Sequence, residues 1–385
     1  MIRLEKVTKI YTDGTEAVRE VSFEVRKGEL CVVLGPSGCG KTTTMKMINR
    51  LISATSGKIY IDGMDNTSID ENELRRNIGY AIQDLGLFPH MTVGDNIGTV
   101  PALKGWPKAK RRKRAKELLE LLRMDPDGFI DKYPRELSGG QRQRVGVARA
   151  LGGDPPILLM DEPFGAIDPI TRVGLQNEFL KIQQKLHKTV IFVTHDIYEA
   201  IKMGDKIALM KEGRLVQYAP PADLLYRPKD EFVAGFVGAD RGLKGLQLIR
   251  TKEVMWRSPP MAKPDEEVGA VRERMEREGI DWLAVIDDEG RFAGWVVSSN
   301  LEMGQKVKEI MSTSAIVATR NAVLSEALSL MLTSGLNVLA IVDRHNRLEG
   351  VLTFEAIQEA LREYRSDCLG YQSGQGGNLH HLHVR

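Results

Sequence analysis

The stretch Gly35-Pro36-Ser37-Gly38-Cys39-Gly40-Lys41-Thr42 spaces its glycines, lysine and threonine as G-x-x-x-x-G-K-[ST]. In such a loop the backbone N–H groups turn inward. With the N-terminus of a following helix they cradle phosphate oxygens. Lys41 is placed to reach β- and γ-phosphates, and the Thr42 hydroxyl to bind Mg²⁺. The elements that must hold this loop are legible on either side. Leu30-Cys31-Val32-Val33-Leu34 reads as a buried parallel strand, and Thr43-Thr44-Met45-Lys46-Met47-Ile48 as the start of a helix.

The chain has 385 residues, which predicts two or three domains. It is 42% hydrophobic and 28% charged, the balance of a globular protein. A net charge of +2 gives no field of the kind that marks a general nucleic-acid binder. Three cysteines, Cys31, Cys39 and Cys368, make no disulfide framework and fit a reducing compartment. No apolar run approaches the roughly 20 residues needed to cross a bilayer. The first residues, Met1 to Lys6, alternate as a strand does and read as no signal peptide. If the chain serves a membrane process, another chain does the crossing.

Further motifs follow in order. Ile78-Gly79-Tyr80-Ala81-Ile82 leads to Gln83, and Leu137-Ser138-Gly139-Gly140-Gln141 opens a helix rich in Arg and Val. Ile157-Leu158-Leu159-Met160 is an apolar strand ending in Asp161 and Glu162. Asp168 lies just beyond, and His195 closes the strand Thr189 to Thr194. With these motifs residues 1–236 resemble the ATP-binding subunits of ABC transporters. The fold class implied is α/β, a P-loop NTPase with a RecA-like core, a helical subdomain and an antiparallel β subdomain.

The resemblance implies roles residue by residue. The nucleotide-binding set is Tyr11, Gly35, Pro36, Ser37, Gly38, Cys39, Gly40, Lys41, Thr42, Thr43, Gln83, Ser138, Gly139, Gly140, Gln141, Asp161 and Asp168, with ATP as ligand. Thr42, Gln83 and Asp161 would hold Mg²⁺, since a carboxylate ending a buried strand can reach the ion through water. Glu162, one residue on, would polarise the attacking water as general base. His195 would contact the γ-phosphate, and Gln83 would touch both Mg²⁺ and the water; Lys41 completes the catalytic set. Tyr11 would stack on adenine, although its turn, Thr12-Asp13-Gly14, equally suits a surface hairpin tyrosine. Ser138 and its glycines would close over ATP held by a second copy, so that two chains head to tail make a C₂ dimer with two sites.

Two surface features carry open readings. Leu87 and Phe88, in Leu87-Phe88-Pro89-His90-Met91-Thr92-Val93, belong either to the core or to a groove for a helix of a membrane partner; the resemblance favours the groove. The basic run Lys108, Lys110, Arg111, Arg112, Lys113, Arg114 and Lys116 is either a lipid-facing patch or a solvated helix face; the second is preferred.

Beyond a linker at 237–246 a repeat appears. Gly279-Ile280-Asp281-Trp282-Leu283-Ala284-Val285-Ile286-Asp287 matches Gly335-Leu336-Asn337-Val338-Leu339-Ala340-Ile341-Val342-Asp343 at an offset of 56 residues. Arg291 and Gly294 match Arg347 and Gly350, and Met275 matches Met331. Each copy reads helix, strand, turn, strand, helix. Residues 247–365 resemble an α+β tandem CBS (Bateman) module, with copies at about 247–304 and 305–365. The family's nucleotide pattern wants a hydroxyl and then an Asp for the ribose. Gly294-Trp295-Val296-Val297-Ser298-Ser299-Asn300 and Gly350-Val351-Leu352-Thr353-Phe354-Glu355-Ala356 each lack part of it. Cyclic di-AMP binding, ionic-strength sensing and simple dimerisation stay open. The tail 366–385, rich in Gly, Gln and Ser, reads as disordered; His380, His381 and His383 read as solvated rather than as metal ligands.

An ABC ATPase domain followed by a CBS pair resembles the ATP-binding subunits of quaternary amine importers for glycine betaine, carnitine or choline. The resemblance implies an ATPase on the cytoplasmic face of the inner or plasma membrane. It would act with transmembrane permease subunits and, indirectly, an extracytoplasmic substrate-binding protein. The rival reading, a soluble ABC ATPase acting on nucleic acid or ribosomes, commonly needs a second nucleotide domain or a coiled-coil insertion that this sequence does not show.

Overall fold

The computed structural model describes residues 2–82, 86–165, 167–301, 305–313 and 316–370. Two compact units separate: 1–224 with 228–236, and 225–227 with 237–385.

In the first unit a six-stranded sheet runs in the order Arg214–Ala219, Lys206–Lys211, Leu30–Leu34, Thr189–Thr194, Ile157–Asp161, Ile78–Ala81. The five strands from Lys206–Lys211 onward pair in parallel, and Arg214–Ala219 joins antiparallel as an edge. Leu30–Leu34, Ile157–Asp161 and Thr189–Thr194 are buried along their whole length. That explains their unbroken apolar character, since a parallel strand covered on both faces has no polar side. Their carboxyl ends lie in register, with Leu34 beside Thr194 and Asp161 beside Val193. Ligand sites of such sheets form at that edge. A four-stranded antiparallel sheet, ordered Glu16–Val25, Ile2–Ile10, Ser56–Ile61, Met64–Asp65, packs over the helix Lys41–Ile48 through one continuous apolar core. The helices Val93–Ile97, Thr99–Leu103, Lys108–Leu121, Pro126–Phe129 and Gly139–Gly152 form the helical subdomain.

The second unit begins earlier than the sequence predicts. Within 237–246, read as a linker, Arg241–Gly245 is a helix, and Lys244 is buried there, donating to the Val237 carbonyl at 2.9 Å and pairing with Asp240. The repeat survives as structure. Met261–Ala262, Trp282–Ile286 and Phe292–Val297 form one three-stranded sheet, and Val317–Thr319, Val338–Val342 and Leu348–Thr353 the other. Met261 pairs with Ala284 as Val317 pairs with Ala340, at the same 56-residue offset. The helices Val268–Glu278 and Leu324–Ser334 both end on a left-handed glycine, Gly279 or Gly335.

The two copies also exchange arms. Trp256, between the opening helix and the first strand of copy one, pairs with Val351 of copy two; Ser312, at the same place in copy two, pairs with Trp295 of copy one. Each bridge has two backbone bonds of 2.8–2.9 Å. Arg291 bridges Arg347, its own counterpart, where a local two-fold axis must pass.

One expected element is corrected. Copy two closes with the helix Phe354–Gly370, whereas the same place in copy one holds a single 3₁₀ turn, Ser298–Asn300. The reason is spacing: Val307–Ile310, the opening helix of copy two, already occupies the residues a closing helix would need. The predicted disordered tail is also corrected at its start, because residues 366–370 continue that helix. His380, His381 and His383 lie outside the described residues. Among the described residues no helix is long and apolar enough to cross a membrane.

Candidate nucleotide-hydrolysis site

The phosphate loop leaves the buried strand Leu30–Leu34 and enters the helix Lys41–Ile48 through Gly40, whose φ is 101°. A Cβ there would stand 2.4 Å from the Ala17 carbonyl oxygen, so only glycine fits. Pro36, Ser37 and Gly38 form the exposed crown, while Cys39 is buried, which pushes its thiol up from the usual range. Lys41 is buried as well, and its Nζ donates to the carbonyls of Gly35 at 2.7 Å and Pro36 at 2.8 Å. These acceptors lie in the loop, so the ammonium is held against the loop's own backbone. Thr42 and Thr43 follow in the first helical turn, both half-buried.

Asp161 ends its strand beside this helix. The Thr42 hydroxyl donates to Asp161 Oδ1 at 3.2 Å, across 119 residues of sequence. Burial pushes the Asp161 carboxyl up; the Thr42 bond opposes this, and the neighbouring Glu162 charge adds to it. Such a carboxylate is poised to gain from a cation.

Glu162 is in the left-handed region at φ 46°, unusual for a non-glycine residue. Its conformation is held from three sides. Its N–H donates to Val193 O at 3.0 Å, and its carbonyl accepts from Gly165 N–H at 3.1 Å and from Gln143 Nε2 at 3.3 Å. Glu162 Oε1 stands 3.1 Å from His195 Nδ1. The carboxylate side chain is 21% exposed and the imidazole 63%. The pair thus sets a shielded carboxylate against an open imidazole.

The remaining expected residues stand farther out. Tyr11 is 39% exposed on a turn closed by Gly14 N–H to Tyr11 O at 3.0 Å. Ser138 caps the helix Gly139–Gly152 reciprocally with Gln141. The Gln141 N–H donates to Ser138 Oγ at 3.3 Å, and the Ser138 N–H to Gln141 Oε1 at 2.9 Å. This turn bonds within its own helix and leaves Gly139 and Gly140 in the first turn, the arrangement of an anion-binding helix start. Asp168 caps the helix Pro169–Leu186 through the Thr171 N–H at 3.0 Å. Gln83 lies outside the described residues.

Beyond the site, Phe88 is 39% exposed and Leu87 half-buried. The buried Asn96 holds that loop, accepting from the Phe88 N–H and donating to the carbonyls of Phe88, Met91 and Thr92. The backbone at Phe88 is therefore fixed while the residue stays partly exposed. Much of the basic run is spent locally: Arg112 grips Asp131 with two bonds of 2.7 and 2.8 Å, Lys116 pairs with Asp127, and Lys110 lies 4.1 Å from the Trp106 ring centroid. In the repeat unit the Thr353 hydroxyl accepts from the Ala356 N–H at 3.1 Å, capping its own helix.

Sequence reasoning missed Gln143, which ties the helix of Ser138 to the Glu162 turn. It also missed Thr194, Glu199 and Gln176, a buried polar chain behind His195. The only sequence signal was a glutamine two residues past Gln141 and a threonine before the histidine.

Comparison with known proteins gives the family. The ABC transporter family matches residues 18–165, and the CBS domain matches 252–301 and 307–363. A glycine betaine/carnitine/choline transport ATP-binding protein of Bacillus subtilis is 44% identical over 92% of this chain and 94% of its own. A choline transport ATP-binding protein of the same species is 45% identical over 92% and 94%. An osmoprotectant import ATP-binding protein of Salmonella typhimurium is 44% identical over 95% and 97%. Among solved structures, a dimeric post-hydrolysis ATP-binding cassette bound to ADP and phosphate is similar with a TM-score of 0.54 and 35% identity. That likeness covers 57% of this chain and 99% of the cassette. The chain belongs to the ABC transporter family, among ATP-binding proteins that carry a CBS pair.

Proposed function

We propose that the chain binds and hydrolyses Mg·ATP to drive uptake of a quaternary amine osmoprotectant, such as glycine betaine, carnitine or choline, through a separate permease. The observation that carries the hydrolytic half is the convergence at one sheet edge of Lys41, the Thr42–Asp161 pair and the Glu162–His195 pair. Thr42 and Asp161 suit Mg²⁺, which takes one or two protein oxygens and completes its shell with phosphate and water; Gln83 is assigned to the same ion. The ion supplies charge neutralisation on the phosphate oxygens.

Glu162 then acts as general base toward water, and His195, hydrogen-bonded to it, fixes the geometry at the γ-phosphate. Lys41 neutralises the β- and γ-phosphates. Tyr11 offers an exposed π-face to adenine. Ser138, Gly139, Gly140 and Gln141 serve the ATP held by a second copy, and Asp168 lies beside that contact. Two copies form the working unit at the cytoplasmic face of the membrane, with the presented Phe88 loop toward the permease. A substrate-binding protein outside the membrane delivers the solute.

The solute assignment rests on the relatives, and the CBS pair is read as the regulatory unit, with cyclic di-AMP the first ligand to try. The test of the whole reading is the ATPase rate of the purified permease complex with its binding protein. Stimulation by glycine betaine, carnitine or choline is expected. Stimulation by none of these, alongside intact basal ATPase, overturns the solute and leaves the hydrolytic site standing.

A further inference from the structure

Behind His195 lies a buried polar chain that the hydrolytic reading does not use. Thr194, immediately before the histidine, is buried at the end of its strand. Its hydroxyl donates to Glu199 Oε2 at 2.6 Å and accepts from the Asp196 N–H at 3.0 Å. The two bonds bracket residue 195 from both neighbours. The other Glu199 oxygen accepts from Gln176 Nε2 at 3.0 Å, and Gln176 Oε1 accepts from Lys202 Nζ at 3.1 Å. Gln176 sits on the helix Pro169–Leu186, whose first turn Asp168 caps. Thr194, Glu199 and Gln176 are each more than nine-tenths buried. A carboxylate buried this deeply is costly unless both oxygens are bonded. Here they are bonded to the residue before the histidine and to a different helix.

We propose that Thr194, Glu199 and Gln176 are positioning residues that fix the His195 turn against the helix Pro169–Leu186. Among the described residues the exposed imidazole bonds to one side chain, Glu162, so its backbone must supply the rest of its placement. An apolar pair of the same shape would fill the space without orienting the Asp196 N–H. The inference rests on the assignment of His195 above and concerns what aims it.

The test is steady-state ATPase of the full-length chain. Thr194→Val keeps the shape and removes the hydroxyl. It is expected to lower kcat by about tenfold, the order of one lost charge-assisted hydrogen bond, with KM for ATP unchanged. Thr194→Ser is expected to restore the rate. Added to His195→Ala, Thr194→Val is expected to cost nothing further, because both act through one imidazole. Glu199→Gln, assayed the same way, stands in if Thr194→Val does not fold. An unchanged rate in Thr194→Val, or an equal loss in the His195→Ala background, overturns the proposal. Full activity in His195→Ala alone overturns the histidine's assignment, and this proposal with it.

Discussion

The two units spend their sequence differently. In the ATPase unit, residues far apart in the chain converge as side chains: Thr42 meets Asp161, and Glu162 meets His195. In the repeat unit the convergence is of backbone, with Trp256 on Val351, Ser312 on Trp295, and Arg291 on Arg347. The side chains between those bridges are apolar, a cluster of Trp256, Trp282, Trp295 and Phe292 in edge-to-face contact. One unit is arranged to place charge and the other to keep two halves related by symmetry. A substitution in the first should therefore appear in rate before stability, and in the second the reverse.

The largest expected effect breaks the first half of that contrast. Glu162→Gln keeps the shape, the φ 46° turn and its three backbone bonds, and removes the carboxylate proposed as the base. Turnover should fall by about a thousandfold, within the range for a lost general base. ATP affinity, read by equilibrium binding, should hold, because Lys41 and the phosphate loop are untouched. A variant that hydrolyses at the parent rate removes Glu162 from the mechanism.

The second prediction works on the symmetry. Gly294 has φ 157°, and a Cβ there would lie 2.3 Å from the Ser312 carbonyl oxygen. At its mate Gly350 a Cβ would lie 2.7 Å from the Trp256 carbonyl oxygen, with no positive φ to add strain. Gly294→Ala should destabilise the repeat unit by about 2–3 kcal/mol, the cost of overpacking with backbone strain, and Gly350→Ala by about 1 kcal/mol. Scanning calorimetry of the full chain reads both. Equal losses would mean that the two arms are interchangeable, and loss of basal ATPase would break the contrast between units.

The contrast also explains what the sequence made legible. The strands Leu30–Leu34 and Thr189–Thr194 have the bounds their apolar runs predict, because burial on both faces leaves a local signature. Gly35 to Thr42 and Asp161-Glu162 are legible because their chemistry needs fixed residue types at short spacing. Gln143, Glu199 and Gln176 are not. Each is a single polar residue on a helix, and its worth comes from a partner 19 or 23 residues away that only the fold brings near. The repeat offset of 56 residues was plain, but the missing closing helix of copy one and the exchanged arms were not. Both depend on what the other copy already occupies.

Gln143 gives a smaller effect of the same kind. Its Nε2 bond to the Glu162 carbonyl joins the helix of Ser138 to the Glu162 turn. Gln143→Met keeps the length without the donor. A fewfold fall in kcat is expected, since one neutral hydrogen bond at 3.3 Å is weak. Loss of ATP binding instead would show that the turn supports the phosphate loop rather than the base.

The smallest effect concerns the basic helix. If Arg112 is a local structural partner, its two bonds to Asp131 are exposed, and exposed pairs contribute little. Arg112→Ala should then leave ATPase and thermal unfolding unchanged. A lipid-facing role predicts something different: weaker binding of the full chain to vesicles containing anionic lipid, and a shallower dependence of that binding on salt. The pairing of Arg112 and Lys116 with Asp131 and Asp127 offsets two of the seven cations of the run, so vesicle binding should be weaker than seven free charges would give, before any substitution is made. Strong, salt-sensitive binding that Arg112→Ala abolishes would give the ATPase unit a second surface whose work is charge placement, and would sharpen its contrast with the repeat unit.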